Sequence, residues 1–130
     1  MEVKPRIFET DMLGHINHSS YFVYMEEARF NFLTNLGINV DINNFTFVLA
    51  STKCDFIRQG NVGQFIQVQT EVTAIGRTSL TLTSELIEKE SGSLVAKGKA
   101  TIVYFDVANQ KAAKLPDSFR SKLEYHLLAQ

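Results

Sequence analysis

The chain has 130 residues, 45% of them hydrophobic, which suits one typical domain with a substantial core. Thirteen basic and fourteen acidic side chains give a formal net charge of -1, without the clustered basic face that nucleic-acid binding needs. The single cysteine, Cys54, excludes an internal disulfide. No apolar run approaches the roughly 18 residues of a membrane span, and the N-terminus lacks a secretory signal's apolar core. We therefore expect one soluble cytoplasmic domain over residues 1–130, with neither a nucleic-acid nor a membrane partner.

The first element predicted is a short strand over residues 2–8, interrupted by Pro5. Proline cannot donate a hydrogen bond to a sheet, so this strand is expected at an edge or a bulge. Residues 9–20 are polar and aperiodic. They predict a long turn that leads into a helix.

A long core helix is predicted over residues 19–36. Apolar residues recur there at three- and four-residue steps, which is typical of one continuous helical stripe: Tyr21, Met25, Ala28, Phe32 and Leu36. The side chain of Asn17, Ser19 or Ser20 can cap the start of this helix. Gly37 can end it in a positive-φ conformation.

The rest of the chain predicts strands, with a short surface helix at residues 116–128. The strands are expected at residues 45–58, 66–74, 80–86 and 94–106. Consecutive strands joined by short turns form an antiparallel sheet, and its apolar face needs a covering layer. The expected fold is α+β, with a five-stranded antiparallel sheet wrapped around a long central helix. This is the hotdog architecture.

The polar segment before the helix concentrates groups that can do chemistry. Asp11, His15, Asn17 and His18 lie within eight positions of one another. The free amides and the positive dipole end of a helix start favour negative charge, so an oxyanion formed from a carbonyl could rest there. Removal of one such donor in acyl transfer typically raises the barrier by about 2.7–4 kcal/mol.

The run from Asp11 to Tyr21, followed by Glu26-Glu27-Ala28-Arg29, resembles the signature of the 4-hydroxybenzoyl-CoA thioesterase-like hotdog family. That signature consists of an aspartate, Gly-His-Val-Asn-Asn, a tyrosine, and then Glu-Ala-Arg one helix face later. The resemblance implies an acyl-CoA thioesterase that releases CoA and a carboxylic acid without a cofactor. It also implies a homodimer or homotetramer, because CoA lies along a dimer interface in this family.

The resemblance assigns roles to individual residues. It implies that Asp11 is the catalytic carboxylate, acting as nucleophile or general base, and that the backbone amide near His18 holds the thioester oxygen. We expect basic side chains to contact the phosphates of CoA. The substrate-binding residues that we predict are Gly14, His15, Asn17, Tyr21, Arg58 and Arg77.

The same residues also have purely structural interpretations. Asp11 could be a turn or capping carboxylate, and His15 could lock the loop by a hydrogen bond to the backbone. Asn17 suits a helix cap. Tyr21 could serve packing alone, and Cys54 is expected to be a buried structural thiol.

Three other functions remain as alternatives. A metal hydrolase would use His15-x-x-His18 with Asp11, but the helix-borne His-Glu-x-x-His motif is absent, so no metal is expected. Hotdog dehydratases and hydratases carry Gly-His-Phe-Pro or Asp-x-Asn-Pro-x-His patterns, whereas Ile16-Asn17 follows Gly14-His15 here. A non-catalytic acyl-CoA or acyl-carrier-protein binding module would not need Asp11. No motif identifies the acyl group or decides between CoA and acyl carrier protein.

Overall fold

The computed structural model describes residues 1–41 and 43–129. Helices and strands follow one another as β1 (Glu2–Val3), α1 (His18–Asn35), β2 (Phe45–Phe56), β3 (Ile66–Ile75), β4 (Ser79–Glu88), β5 (Leu94–Asp106), β6 (Lys111–Ala112) and α2 (Asp117–Ala129). The strands form a sheet in which hydrogen-bonded neighbours follow the order β1-β3-β4-β5-β2, and β6 pairs with β5. No helix in the described ranges has the length and apolarity needed to cross a membrane.

The sheet is antiparallel. β1 pairs antiparallel with β3, and β5 with β6. Short turns join β3 to β4 and β4 to β5. β2 and β5 run in opposite directions, because Ile57 donates to the carbonyl of Val95 (2.9 Å) and Val107 donates to that of Asn44 (2.9 Å). The predicted α+β class with five antiparallel strands is confirmed, and the two-residue β6 is an addition.

The predicted first strand is too long. β1 covers only residues 2–3 of the predicted 2–8, although it lies at the sheet edge as Pro5 suggested. Beyond Pro5 the chain turns into a short 3-10 helix at Ile7–Glu9. The apolar side chains of Ile7 and Phe8 led to the wrong prediction. Ile7 is 81% exposed and lies outside the sheet.

Helix α1 starts and ends within one residue of the prediction. Gly37 has a φ of +76°, as its proposed terminating role requires. The amide of Ile38 donates to the carbonyl of Leu33 (2.9 Å), and the amide of Gly37 donates to that of Thr34 (2.9 Å). This pair of bonds is the Schellman motif, which satisfies carbonyls at the end of a helix.

The described chain divides into two compact units, and the first comprises residues 1–31, 54–70 and 84–98. The first half of α1 packs there on β3, β4 and β5. Its buried core consists of Ile16, Tyr21, Tyr24, Met25, Ala28, Ile66, Val68, Leu86, Val95 and Ala96. All of the chemistry-bearing segment before α1 belongs to this unit.

The second unit comprises the described residues of 32–53, 71–83 and 99–130. Its core consists of Leu33, Ile38, Val72, Leu80, Leu82, Ile102 and Leu123. The predicted helix near the C-terminus is confirmed as α2, which supplies Leu123 to this core and packs Phe119 edge-on against Tyr104 (5.8 Å between ring centroids). The expectation of one domain over residues 1–130 stays a prediction.

Candidate active site

The polar segment before α1 folds into a narrow hairpin over residues 9–17, the Asp11 hairpin. At its base the amide of Asn17 donates to the carbonyl of Glu9 (2.8 Å), and nearer the tip the amide of Asp11 donates to the carbonyl of His15 (2.7 Å). The predicted long turn is therefore an ordered, hydrogen-bonded loop. It leads directly into the start of α1.

The Asp11 side chain stabilises the tip of this hairpin. Its Oδ1 accepts the backbone N–H groups of Leu13 (2.8 Å) and His15 (3.1 Å). The amide of Gly14 closes the turn on the Asp11 carbonyl (3.1 Å), and Gly14 has a positive φ of +78°, a conformation that glycine adopts readily. Both side-chain bonds fall on Oδ1, and within the described residues Oδ2 receives no hydrogen-bond donor. Asp11 is thus a turn carboxylate with one oxygen still available.

The start of α1 is capped by Asn17, one of the three predicted caps. Its Oδ1 accepts the backbone N–H of Ser19 (3.0 Å) and the hydroxyl of the same residue (2.8 Å). Its carbonyl accepts the N–H of Ser20 (2.9 Å). The amide of His18 is left over: no acceptor for it occurs in residues 1–41 or 43–129. One amide of the helix start therefore remains open to negative charge.

A second loop, around Gly60, binds the second strand of the Asp11 hairpin, the one that contains Gly14 and Ile16. The amide of Ile16 donates to the carbonyl of Gly60 (2.7 Å), and the amide of Val62 donates to that of Gly14 (3.0 Å). A Cβ at Gly60 would lie 2.9 Å from the Tyr21 hydroxyl and closer still to the Ile16 side chain, so a larger residue there would require these side chains to shift. Gly60 was not among the residues predicted from the sequence. Its signal was a glycine in a polar stretch, which any surface turn would give.

A pocket of about 160 Å³ opens beside the helix start, lined by His18, Tyr21, Phe56, Ile57, Arg58 and Gln59. The His18 ring stacks on Phe56 with centroids 4.5 Å apart. Tyr21 accepts the N–H of Gly60 on its hydroxyl (3.2 Å), and burial raises the pKa of Tyr21, so the phenol stays protonated. Three of the predicted site residues, His18, Tyr21 and Arg58, are therefore brought together.

Arg58 also lines a second, more polar pocket of about 390 Å³ in the same unit. The other lining residues are Gln59, Gln64, Glu88, Ser91, Ser93 and Val95. Hydrogen bonds from the amide (2.6 Å) and hydroxyl (3.0 Å) of Ser91 hold the Glu88 carboxylate and lower its pKa. Within the described residues, the donors of this pocket without a hydrogen-bond partner include the Arg58 guanidinium, the side-chain amides and the Ser93 hydroxyl.

Arg77 lies in the second unit, in the turn between β3 and β4. It is exposed, and its carbonyl accepts the N–H of Leu115 (3.0 Å). Its contact with a CoA phosphate stays a prediction.

A buried carboxylate close to Asp11 in the chain was also not predicted from the sequence. Glu9 is only 8% exposed. Its carboxylate accepts hydrogen bonds from the guanidinium (2.8 Å) and amide (2.9 Å) of Arg6 and from the hydroxyl of Tyr24 (3.0 Å). The bond from Arg6 holds the pKa of Glu9 below its usual value, while burial raises the pKa of Tyr24. The sequence offered one signal, the three-residue spacing of Arg6 and Glu9.

Two other candidate chemistries can be placed on the structure. Cys54 is partly buried on β2, and burial raises the pKa of its thiol to about 11, which favours the structural interpretation over a nucleophile. The described ranges contain no group of three His, Cys, Asp or Glu side chains arranged to hold a metal ion.

Residues 5–123 match the family model described as the thioesterase-like superfamily. The chain belongs to this superfamily. Membership confirms the resemblance found in the sequence, the hotdog fold and the class of thioester hydrolases. The segment that carried the resemblance, from Asp11 to Arg29, lies within the range of this thioesterase-like protein that matches the family model.

Individual relatives match nearly the whole chain. The uncharacterized protein YsmA of Bacillus subtilis is 30% identical over 94% of this chain and 82% of its own length. The long-chain acyl-CoA thioesterase FadM of Escherichia coli is 26% identical over 95% of both chains. The solved structure of a predicted thioesterase from Bacillus stearothermophilus aligns with a TM-score of 0.88 at 30% identity, covering 98% of this chain and 94% of the other.

Proposed function

We propose that this protein hydrolyses acyl-CoA thioesters, with Asp11 as the catalytic carboxylate and the backbone amide of His18 as the donor to the thioester oxygen. One observation carries the proposal. The Asp11 hairpin leaves one carboxylate oxygen and one helix-start amide without partners in the described residues, and the hairpin leads straight into that helix start. An attacking oxygen and an oxyanion donor are the two groups that acyl transfer requires. The acyl-CoA substrate named for the Escherichia coli relative supports the choice of thioester.

Two routes use this pair of groups. In the first, Asp11 attacks the thioester carbon, the carbon–sulfur bond breaks, and the thiolate takes a proton and leaves as CoA. Water then hydrolyses the acyl–aspartyl anhydride to the carboxylic acid and restores the carboxylate. In the second, Asp11 takes a proton from water, the hydroxide adds to the carbon, and the proton passes to the departing thiolate. In both routes the His18 amide stabilises negative charge on the carbonyl oxygen.

The remaining predicted residues fit substrate binding or support. Gly14 and His15 belong to the tip of the Asp11 hairpin, and Asn17 is the cap that orients the helix start. Arg58 faces a polar pocket and suits a phosphate group, because a guanidinium binds phosphate oxygens through paired hydrogen bonds. Tyr21 and His18 both line the smaller pocket.

Asp11→Asn is the decisive variant. Asparagine keeps an oxygen at Oδ1 that can accept both backbone N–H groups, so the hairpin should survive. A carboxamide can neither attack a thioester nor accept a proton from water. We expect kcat on the best acyl-CoA substrate to fall by about 10²–10⁴-fold, the usual contribution of acid–base catalysis, with the melting temperature unchanged.

Asp106→Asn is the matched control, because Asp106 also accepts a backbone amide on Oδ1 in a turn, that of Asn109 (3.1 Å). It should keep the wild-type kcat. Full activity of Asp11→Asn would reject the catalytic role.

A wild-type protein that binds acyl-CoA without hydrolysing it would favour the binding module, and turnover of an enoyl-CoA would favour the hydratase. A panel of aromatic, short-chain and long-chain acyl-CoAs identifies the acyl group.

A further inference from the structure

Glu9, two residues before Asp11, is bound on both carboxylate oxygens. Oε1 accepts the backbone N–H of Arg6 (2.9 Å) and the hydroxyl of Tyr24 (3.0 Å), and Oε2 accepts the Arg6 guanidinium (2.8 Å). Among the described residues, Arg6 is the cation that balances the charge of this buried carboxylate. The hydroxyl of Tyr24 adds a directional contact from a different element, helix α1.

The backbone of Glu9 is bound to the same helix. Its carbonyl accepts the N–H of Asn17 (2.8 Å) and the hydroxyl of Ser20 (3.0 Å). Asn17, Ser20 and Tyr24 are spaced by three and four residues, so they lie on one face of the helix start. Glu9 thus lies along this face of α1. Its carbonyl is hydrogen-bonded to Asn17 and Ser20, and its carboxylate is hydrogen-bonded to Tyr24, further along the helix.

In the part of the chain that the structure describes, Asp11 makes no comparable hydrogen bond to helix α1. The bonds that its carboxylate accepts come from Leu13 and His15, both inside the hairpin. The distance between the Asp11 carboxylate and the amide of His18 therefore depends on how the whole hairpin is held. The contacts of Glu9 fix the strand of the hairpin on which Asp11 lies.

We propose that Glu9 and Tyr24 are positioning residues, and that their hydrogen bond sets the placement of the Asp11 hairpin against the start of α1. The inference rests on the proposed function, because the placement matters through the attack of Asp11 on the thioester. A misplacement of about 1 Å can lower a rate by about 10²-fold. Since Arg6 balances the charge of Glu9, removal of the Tyr24 hydroxyl changes the placement without leaving an unpaired buried charge.

The test is Tyr24→Phe, followed by two measurements. We expect kcat to fall about 10-fold to 100-fold with KM nearly unchanged, because the substrate contacts remain while the alignment is lost. Hydrogen exchange provides a readout that does not depend on activity. The amide of Asp11, which donates within the hairpin, should exchange at least about tenfold faster, while amides of β4 keep their wild-type rates.

Ser84→Ala is the matched control, since Ser84 is a buried hydroxyl of the same unit, 3% exposed and bonded to Thr70 (3.2 Å). Ser84→Ala should lower the melting temperature about as much as Tyr24→Phe does. It should leave both kcat and hydrogen exchange in the Asp11 hairpin unchanged. Equal losses of kcat in the control would indicate general destabilisation and overturn the inference.

A conservative pair of variants separates position from stability. Glu9→Gln keeps an oxygen that can accept the hydrogen bond from Tyr24, whereas Glu9→Ala removes it. Glu9→Gln should therefore have the higher kcat, even where the two variants have equal melting temperatures. Wild-type kcat and wild-type exchange of the Asp11 amide in Tyr24→Phe would overturn the inference. If instead Asp11→Asn is fully active, the proposed function fails, and the exchange measurement still decides whether Tyr24 holds the hairpin.

Discussion

The two oxygens of the Asp11 carboxylate have different surroundings. Oδ1 accepts two backbone amides of the turn, whereas Oδ2 has no donor in the described residues. The catalytic and structural interpretations of Asp11 are therefore compatible, although the sequence analysis set one against the other. The polar, aperiodic residues 9–20 predicted a turn here, and the hydrogen bonds that close its tip are local. The burial of Glu9 could not be predicted, since it depends on Tyr24, fifteen positions away.

Two arginines can be tested at this scale. If Arg58 and Arg77 contact CoA phosphates, Arg58→Ala and Arg77→Ala should each raise KM several-fold with kcat nearly constant, because such a contact is equal in the ground and transition states. The increase should shrink as salt screens the lost charge. Steady-state kinetics at low and high ionic strength measure both effects. Lys111→Ala serves as the control, and an arginine variant that behaves like it does not contact the phosphates.

At the scale of elements, helix α1 was predicted best because its end signals are local. Asn17 and Gly37 act within one turn of the helix, so the sequence alone located both ends. The first strand was predicted worst. The apolar side chains of Ile7 and Phe8 resemble those of a strand in sequence, but their exposure is decided by the rest of the fold.

Gly37→Ala tests the end of α1. Alanine at a φ of +76° places its Cβ against the following carbonyl, which costs about 1–2 kcal/mol in the left-handed region. We expect the free energy of unfolding, measured by urea denaturation, to fall by about this amount. Gly37→Asn should lose less, because asparagine tolerates this conformation better. Equal stability of the glycine and alanine proteins would show that this residue does not end the helix through its φ.

For the whole molecule, the most consequential feature is the exposed edge strand β2. It ends the strand order of the sheet, and in the second unit its side chains Phe45, Val48 and Leu49 are 37%, 37% and 50% exposed. A long apolar edge favours pairing with another chain. The antiparallel sheet could be predicted from alternating residues and short turns. Which strand would be left at the edge could not, because the pairing of β2 with β5 joins distant parts of the chain.

We therefore expect a homodimer at least, with the homotetramer as the larger predicted form. Sedimentation of the wild type should give more than the monomer mass. Leu49→Lys puts a charge on the exposed edge and should weaken the assembly and lower thioesterase activity with it. Tyr125→Lys, on an α2 side chain that is 79% exposed, is the control and should do neither. A wild-type monomer that is stable and active would contradict the prediction.

The exposed tip of the Asp11 hairpin has a consequence for the chemical durability of the protein. Met12, directly after Asp11, is 103% exposed, whereas Met25 is 1% exposed. Peroxide should therefore oxidise the Met12 thioether to its sulfoxide well before it reaches Met25. The product places a polar, chiral group beside the carboxylate proposed to attack the thioester. Mass spectrometry of peroxide-treated protein, read alongside the remaining activity, would show whether oxidative damage to this protein begins at its hairpin tip.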